Sequence, residues 1–96
     1  MSESREFSFR LYVAGNGPNS VLALANLRAL CQTRLADRHR IEVVDLLAHP
    51  QRALEDGVLL TPTLVKLAPN PLQKIIGNLS DLATVLQAIG LPLDAE

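Results

Sequence analysis

The spacing of apolar residues changes period twice within the first half of the chain, and few folds accommodate that change. Phe7, Phe9, Leu11 and Val13 alternate with Ser8, Arg10, Tyr12 and Ala14. Alternation is the period of a β-strand. The first half of this run reads as half-buried and the second, Leu11 to Ala14, as buried on both faces. That pattern predicts a strand entering the middle of a sheet. After Gly15-Asn16-Gly17-Pro18-Asn19-Ser20, apolar residues recur at Val21, Leu24, Leu27, Leu30 and Cys31, with Leu35 beyond. Spacings of three and four place them on one stripe of an α-helix, capped by Asn19 or Ser20 and running to about Asp37. Ile41, Val43, Val44, Leu46 and Leu47 then form a second strand, interrupted by Asp45. Strand, helix and strand make a βαβ unit with parallel strands and a right-handed crossover.

The second half is more broken. Pro50 suits the first turn of a short helix and Gly57 the position just past its end, with Ala53 and Leu54 facing the sheet. Thr61 to Leu67 suits a third strand. Pro69-Asn70-Pro71 is a turn by composition, and Leu72 to Ile76 a fourth strand, antiparallel to the third across so short a link. Ser80 caps a last helix carrying Leu82, Val85, Leu86 and Ile89, which Gly90 and Pro92 end. The order βαβαββα predicts an α/β fold with one four-stranded mixed sheet. It resembles the minimal thioredoxin-like plan, in which a cis proline enters the third strand; Pro62 holds that place here.

Ninety-six residues, 48% apolar and 20% charged, suit one globular domain over 1–96 with an ordered core at about 7–90. A net charge of −1 gives no general pull on nucleic acid or anionic membrane. The basic residues Arg34, Arg38, His39 and Arg40 read as cations near a helix C-terminus rather than as an anion site. No apolar run approaches the roughly 20 residues of a membrane span. The polar N-terminus is unlike a signal peptide, so a cytoplasmic location is expected.

Chemistry is sought in vain. The loop after the first strand, where a thioredoxin-like enzyme places its redox cysteines, contains none. Cys31, the one cysteine, sits on the apolar helix stripe and reads as a buried structural thiol. Gly15-x-Gly17 lacks the further glycine or lysine of a phosphate-binding loop. His39 and His49 lack clustered partners for a metal. Ser20 reads as a cap, Asp45 as a charge at a solvated strand edge, and Glu55-Asp56 as a helix's polar face. No catalytic, cofactor or metal residue is expected, and no enzyme.

Several segments together carry a family likeness. Leu11-Tyr12-Val13-Ala14-Gly15-Asn16, Pro18-Asn19-Ser20 and Asp45-Leu46-Leu47 with Pro50 resemble the KaiB family of clock proteins. Leu60-Thr61-Pro62-Thr63-Leu64 with Lys66, then Ile75-Ile76-Gly77 with Leu79-Ser80, continue the resemblance in order. The sensor domain of SasA-type histidine kinases shares much of the pattern. The resemblance implies a non-catalytic regulator that docks on the N-terminal ATPase ring of the hexameric KaiC and alters its phosphorylation cycle. A histidine kinase or another clock or stress component, and self-association, are further implied partners. It also implies a second structure, a tetramer whose C-terminal half, from Gln51 onward here, folds differently.

The chain departs from the family at Leu22 and Ala25, where clock members usually carry basic residues, and at Gly57, which replaces a usual Lys. Ala88-Ile89-Gly90 also departs, and Ala at 88 favours helix by roughly 1 kcal/mol over Gly. Pro62, Ala88 and Gly90 are therefore the expected conformational positions, with the thioredoxin-like form favoured over the tetramer type. Ile41, Val43 and Asp45, on an edge strand, are the candidate partner-binding residues; charge guarding of that edge by Arg40, Glu42 and Asp45 is the competing reading. A stress or signalling adaptor without a clock role is the alternative function.

Overall fold

The computed structural model describes residues 6–92. It contains β1 (Phe7–Val13), α1 (Pro18–Arg34), β2 (His39–Asp45), α2 (Pro50–Glu55), β3 (Thr63–Ala68), β4 (Gln73–Ile76) and α3 (Leu82–Ile89). The sheet order is β2-β1-β3-β4. β1 runs parallel to β2, with Leu11 opposite Val43, and antiparallel to β3, with Leu11 opposite Leu64. β4 closes the sheet antiparallel to β3. The architecture is the thioredoxin-like α/β plan, and residues after Pro50 run α2-β3-β4-α3 rather than in a rearranged order.

The alternation of β1 divides the core in two. Phe7, Phe9, Leu11 and Val13 pack with Ala23, Leu27, Leu30 and Cys31 of α1 and Val85, Leu86 and Ile89 of α3. On the opposite face Tyr12 packs with Val44, Ala53, Val58 and Val65. α2 covers that face.

Several boundaries and orientations differ from the sequence expectation. α1 begins at Pro18, with Gly17 in the cap position, and ends at Arg34. Proline is pre-set for a first helical turn and lacks only a donor that would be unpaired there. Ser20 thus lies inside the helix, where its Oγ accepts a hydrogen bond from the N–H of Ala14 at 3.2 Å. The buried stripe of α1 runs through Ser20, Ala23, Leu27, Leu30 and Cys31, while Val21 is exposed. Leu46 and Leu47 lie in a turn past β2, and Leu47 and Leu54 are both 72% exposed. Leu82 is exposed too, and the cap of α3 is Asp81, not Ser80: its carboxylate accepts the N–H of Thr84 at 3.3 Å. A carboxylate is at least as good a cap as a hydroxyl, and it also faces the positive end of the helix dipole.

Candidate functional site

β2 is one edge of the sheet, so part of its backbone hydrogen-bonding capacity points away from β1. Ile41 is half-buried and packs against the larger core, whereas Val43 is 42% exposed. Asp45 is not a bare charge at a solvated edge. Its Oδ1 accepts the N–H of Gly15 at 3.1 Å and of Leu47 at 3.0 Å, tying the end of β2 to the loop after β1. Gly15 has φ +58, a left-handed conformation that glycine adopts without a Cβ penalty. Arg40 approaches Glu6 only to 3.8 Å, and both are well exposed, so this pair adds little.

A second polar cluster lies between β1, β2 and α2. The ring of Tyr12 is fully buried, and a buried hydroxyl requires a partner. Its oxygen lies 2.6 Å from Asp56 Oδ2 and 2.8 Å from the carbonyl oxygen of Arg52. Two residues earlier on the same strand face, Arg10 donates from Nη1 to Asp56 Oδ2 at 2.9 Å and from Nε to Glu42 Oε1 at 2.8 Å. Arg52 Nη2 closes the circuit at 2.8 Å from Glu42 Oε2. Burial alone would raise the Asp56 carboxyl, but hydrogen bonds from Tyr12 and Arg10 together outweigh it and hold the carboxyl below its ordinary value. Hydrogen bonds from Arg10 and then Arg52 hold Glu42 low. Burial, and then the bond to Asp56, pushes the Tyr12 phenol up to about 12. Arg10 is more firmly protonated than a free guanidinium because of Glu42 and Asp56.

By contrast α2 offers little apolar anchorage. Ala53 is its one buried residue. A methyl group of that size contributes about 0.8 kcal/mol when buried.

Nucleophilic chemistry finds no support in Cys31. Burial pushes its thiol up to about 11, so the reactive thiolate is scarce at neutral pH. Among the described residues no group of three or more His, Cys, Asp or Glu side chains could hold a metal ion. Nor is any helix among them long and apolar enough to cross a membrane.

Residues 10–91 match the KaiB domain, which takes in both edge strands, all three helices and this polar cluster. The chain belongs to the KaiB family. Among KaiB relatives, the circadian clock oscillator protein KaiB of Prochlorococcus marinus is 48% identical over 93 residues, covering 97% of this chain and 78% of that protein. The protein of the same name from Synechococcus elongatus is 46% identical over 93 residues, covering 97% and 89%. Among solved structures, the N-terminal domain of Synechococcus elongatus SasA superposes with a TM-score of 0.73 at 19% identity, over 93% of this chain and 88% of that one. Mitochondrial thioredoxin 3 of Saccharomyces cerevisiae superposes with a TM-score of 0.71 at 23% identity, over 91% and 80%. At such identities these two establish the fold alone.

The positions singled out in the sequence do not converge on one site. Asp45 and Pro62 lie at one end of the sheet, since Asp45 pairs with Val13 and Thr63 with Tyr12. The Thr61-Pro62 bond is cis. Ala88 and Gly90 lie at the end of α3, where Gly90 is left-handed with φ +87. That end meets Lys66, whose ammonium donates to the carbonyl of Ile89 at 3.3 Å. The Arg10–Asp56 cluster is not foreseen from the sequence, which places Asp56 on the polar face of a short helix. Its signal was Arg10 and Tyr12 on one face of a central strand, where polar groups need partners.

Proposed function

We propose that this chain is a non-catalytic KaiB-type regulator that binds the N-terminal ATPase ring of a KaiC-type hexamer and modulates its phosphorylation and signalling state. The supporting observation is the KaiB-domain match over residues 10–91, together with 46–48% identity to named clock proteins. The unpaired edge of β2 suits recognition by strand addition, with Ile41 and Val43 flanking the backbone and Asp45 holding its end in place. No cofactor enters this reading, the chain acts as a single cytoplasmic domain, and neither nucleic acid nor membrane is a partner.

Pro62, Ala88 and Gly90 are its conformational positions, and two local features favour the thioredoxin-like form. Gly57 occupies φ +69 just past α2, a conformation that costs other residues about 1 kcal/mol or more. Ala88 sits within α3, where it is a better helix former than glycine.

Co-purification with a KaiC-type ring in the presence of ATP tests the reading. A complex at micromolar concentrations is expected, weakened by Val43→Glu. Absence of any complex at tens of micromolar overturns it. One observation favours the second reading, an adaptor for stress or signalling. Leu22 is 47% exposed and Ala25 is exposed on α1, so the positions that are basic in clock members present an uncharged surface here. Under that reading a histidine kinase or stress component, rather than the ring, is captured.

A further inference from the structure

α2 is six residues long, too short to be stable as an isolated helix, and it buries only Ala53. Its backbone has a single hold on the sheet, the Arg52 carbonyl oxygen 2.8 Å from the Tyr12 hydroxyl of β1. The segment is tied at its start, where the Leu46 N–H donates to the Val13 carbonyl at 2.7 Å. The N–H groups of Arg52, Asp56, Gly57 and Val58 bond to His49, Arg52, Leu54 and Ala53, all within the same segment. Ala53 and Val58 supply a small apolar contact with Tyr12, Val44 and Val65. The remaining links across to the strands are polar: Asp56 to Arg10 and Tyr12 of β1, and Arg52 to Glu42 of β2.

We propose that residues 46–60 form an electrostatically latched cover, which opens as a unit while the rest of the sheet stays folded, with the Asp56 carboxylate as the latch. The charges around Asp56 explain its weight. Arg10 and Tyr12 face it from β1, Arg52 lies on α2, and Glu42 of β2 holds both arginines. From β4, the Lys74 ammonium approaches Gly57, lying 2.9 Å from where a Cβ would stand. β3 contributes the neutral Val65 beneath the cover. Without the charge of Asp56, Arg10 and Arg52 share only Glu42 as a counter-ion in this cluster. Glu42 also lies on the β2 edge, so the latch is continuous with that strand.

Native-state hydrogen exchange on the full chain in increasing sub-denaturing urea tests this. The amides of Asp56, Gly57 and Val58 should exchange through an opening that depends weakly on urea, and faster than the sheet-ladder amides of Leu11 and Leu64. Asp56→Asn should speed exchange of the cover by about tenfold. Tyr12→Phe, which keeps the ring, should act in the same direction if the first variant folds poorly. Leu54→Ala should change nothing. A shared urea slope for cover and ladder in the native chain would overturn the proposal, as would unchanged cover exchange in both latch variants.

Discussion

The two faces of this sheet are covered by different kinds of interaction. On one, α1 and α3 bury a continuous aliphatic layer around Phe9, Leu11, Leu27, Leu64 and Leu86. On the other, a helix of six residues rests on a small cluster around Tyr12 and Val44, fastened by Arg10, Glu42, Arg52 and Asp56. Apolar burial is non-directional and indifferent to protonation. A hydrogen-bonded charge network is conditional on the ionisation of each member. The first face therefore sets whether the chain folds, and the second sets whether one part of it stays closed.

The largest expected effect breaks the aliphatic face. Leu27 and Leu86 are fully buried, so Leu27→Ala or Leu86→Ala should cost about 2–5 kcal/mol in urea unfolding. On the other face, Tyr12→Phe preserves the packed ring but leaves Asp56 short of a donor, and should cost about 1–3 kcal/mol. A Tyr12→Phe loss as large as that of Leu27→Ala would erase the distinction between the faces.

Acid sharpens it. Asp56 and Glu42 are held below their ordinary values in the folded chain, so each favours folding above the unfolded carboxylate range, near pH 4. Stability should fall as pH drops from that range through the folded values, and the part due to Asp56 should vanish in Asp56→Asn. At the alkaline end the sign reverses. Tyr12 is raised to about 12, so its contribution is intact below the unfolded value of about 10 and declines above it. A urea series across pH, with and without Asp56→Asn, measures both limbs. Smallest of all, Leu54→Ala on the outer side of α2 should shift stability by no more than about 0.5 kcal/mol.

The sequence was most readable where packing follows a single period. The alternation of β1 and the spacing of Leu27, Leu30 and Leu35 led directly to a central strand and its covering helix. Periodicity failed at element ends, where local chemistry decides. Val21 falls one position off the buried stripe through Ser20, Ala23 and Leu27, and Asp81 displaces Ser80 as the cap. Leu54 misled for another reason: a helix of a turn and a half has one buried position, and Ala53 occupies it. The Arg10–Asp56 pairing was hidden because its members are 46 residues apart and no local pattern links them. Lys66, 3% exposed in a strand, was likewise readable only once α3 brought the carbonyl of Ile89 to it.

Tyr12 is the one tyrosine of a chain without tryptophan, so its fluorescence is a built-in reporter of the face under α2. Following urea unfolding at neutral pH by that signal and by far-ultraviolet circular dichroism tests the difference between the faces most directly. A Tyr12 transition at lower urea than the loss of secondary structure is the expected result. Coincident transitions, in the native chain and in Asp56→Asn alike, would mean that both faces unfold as one and that α2 has no latch of its own.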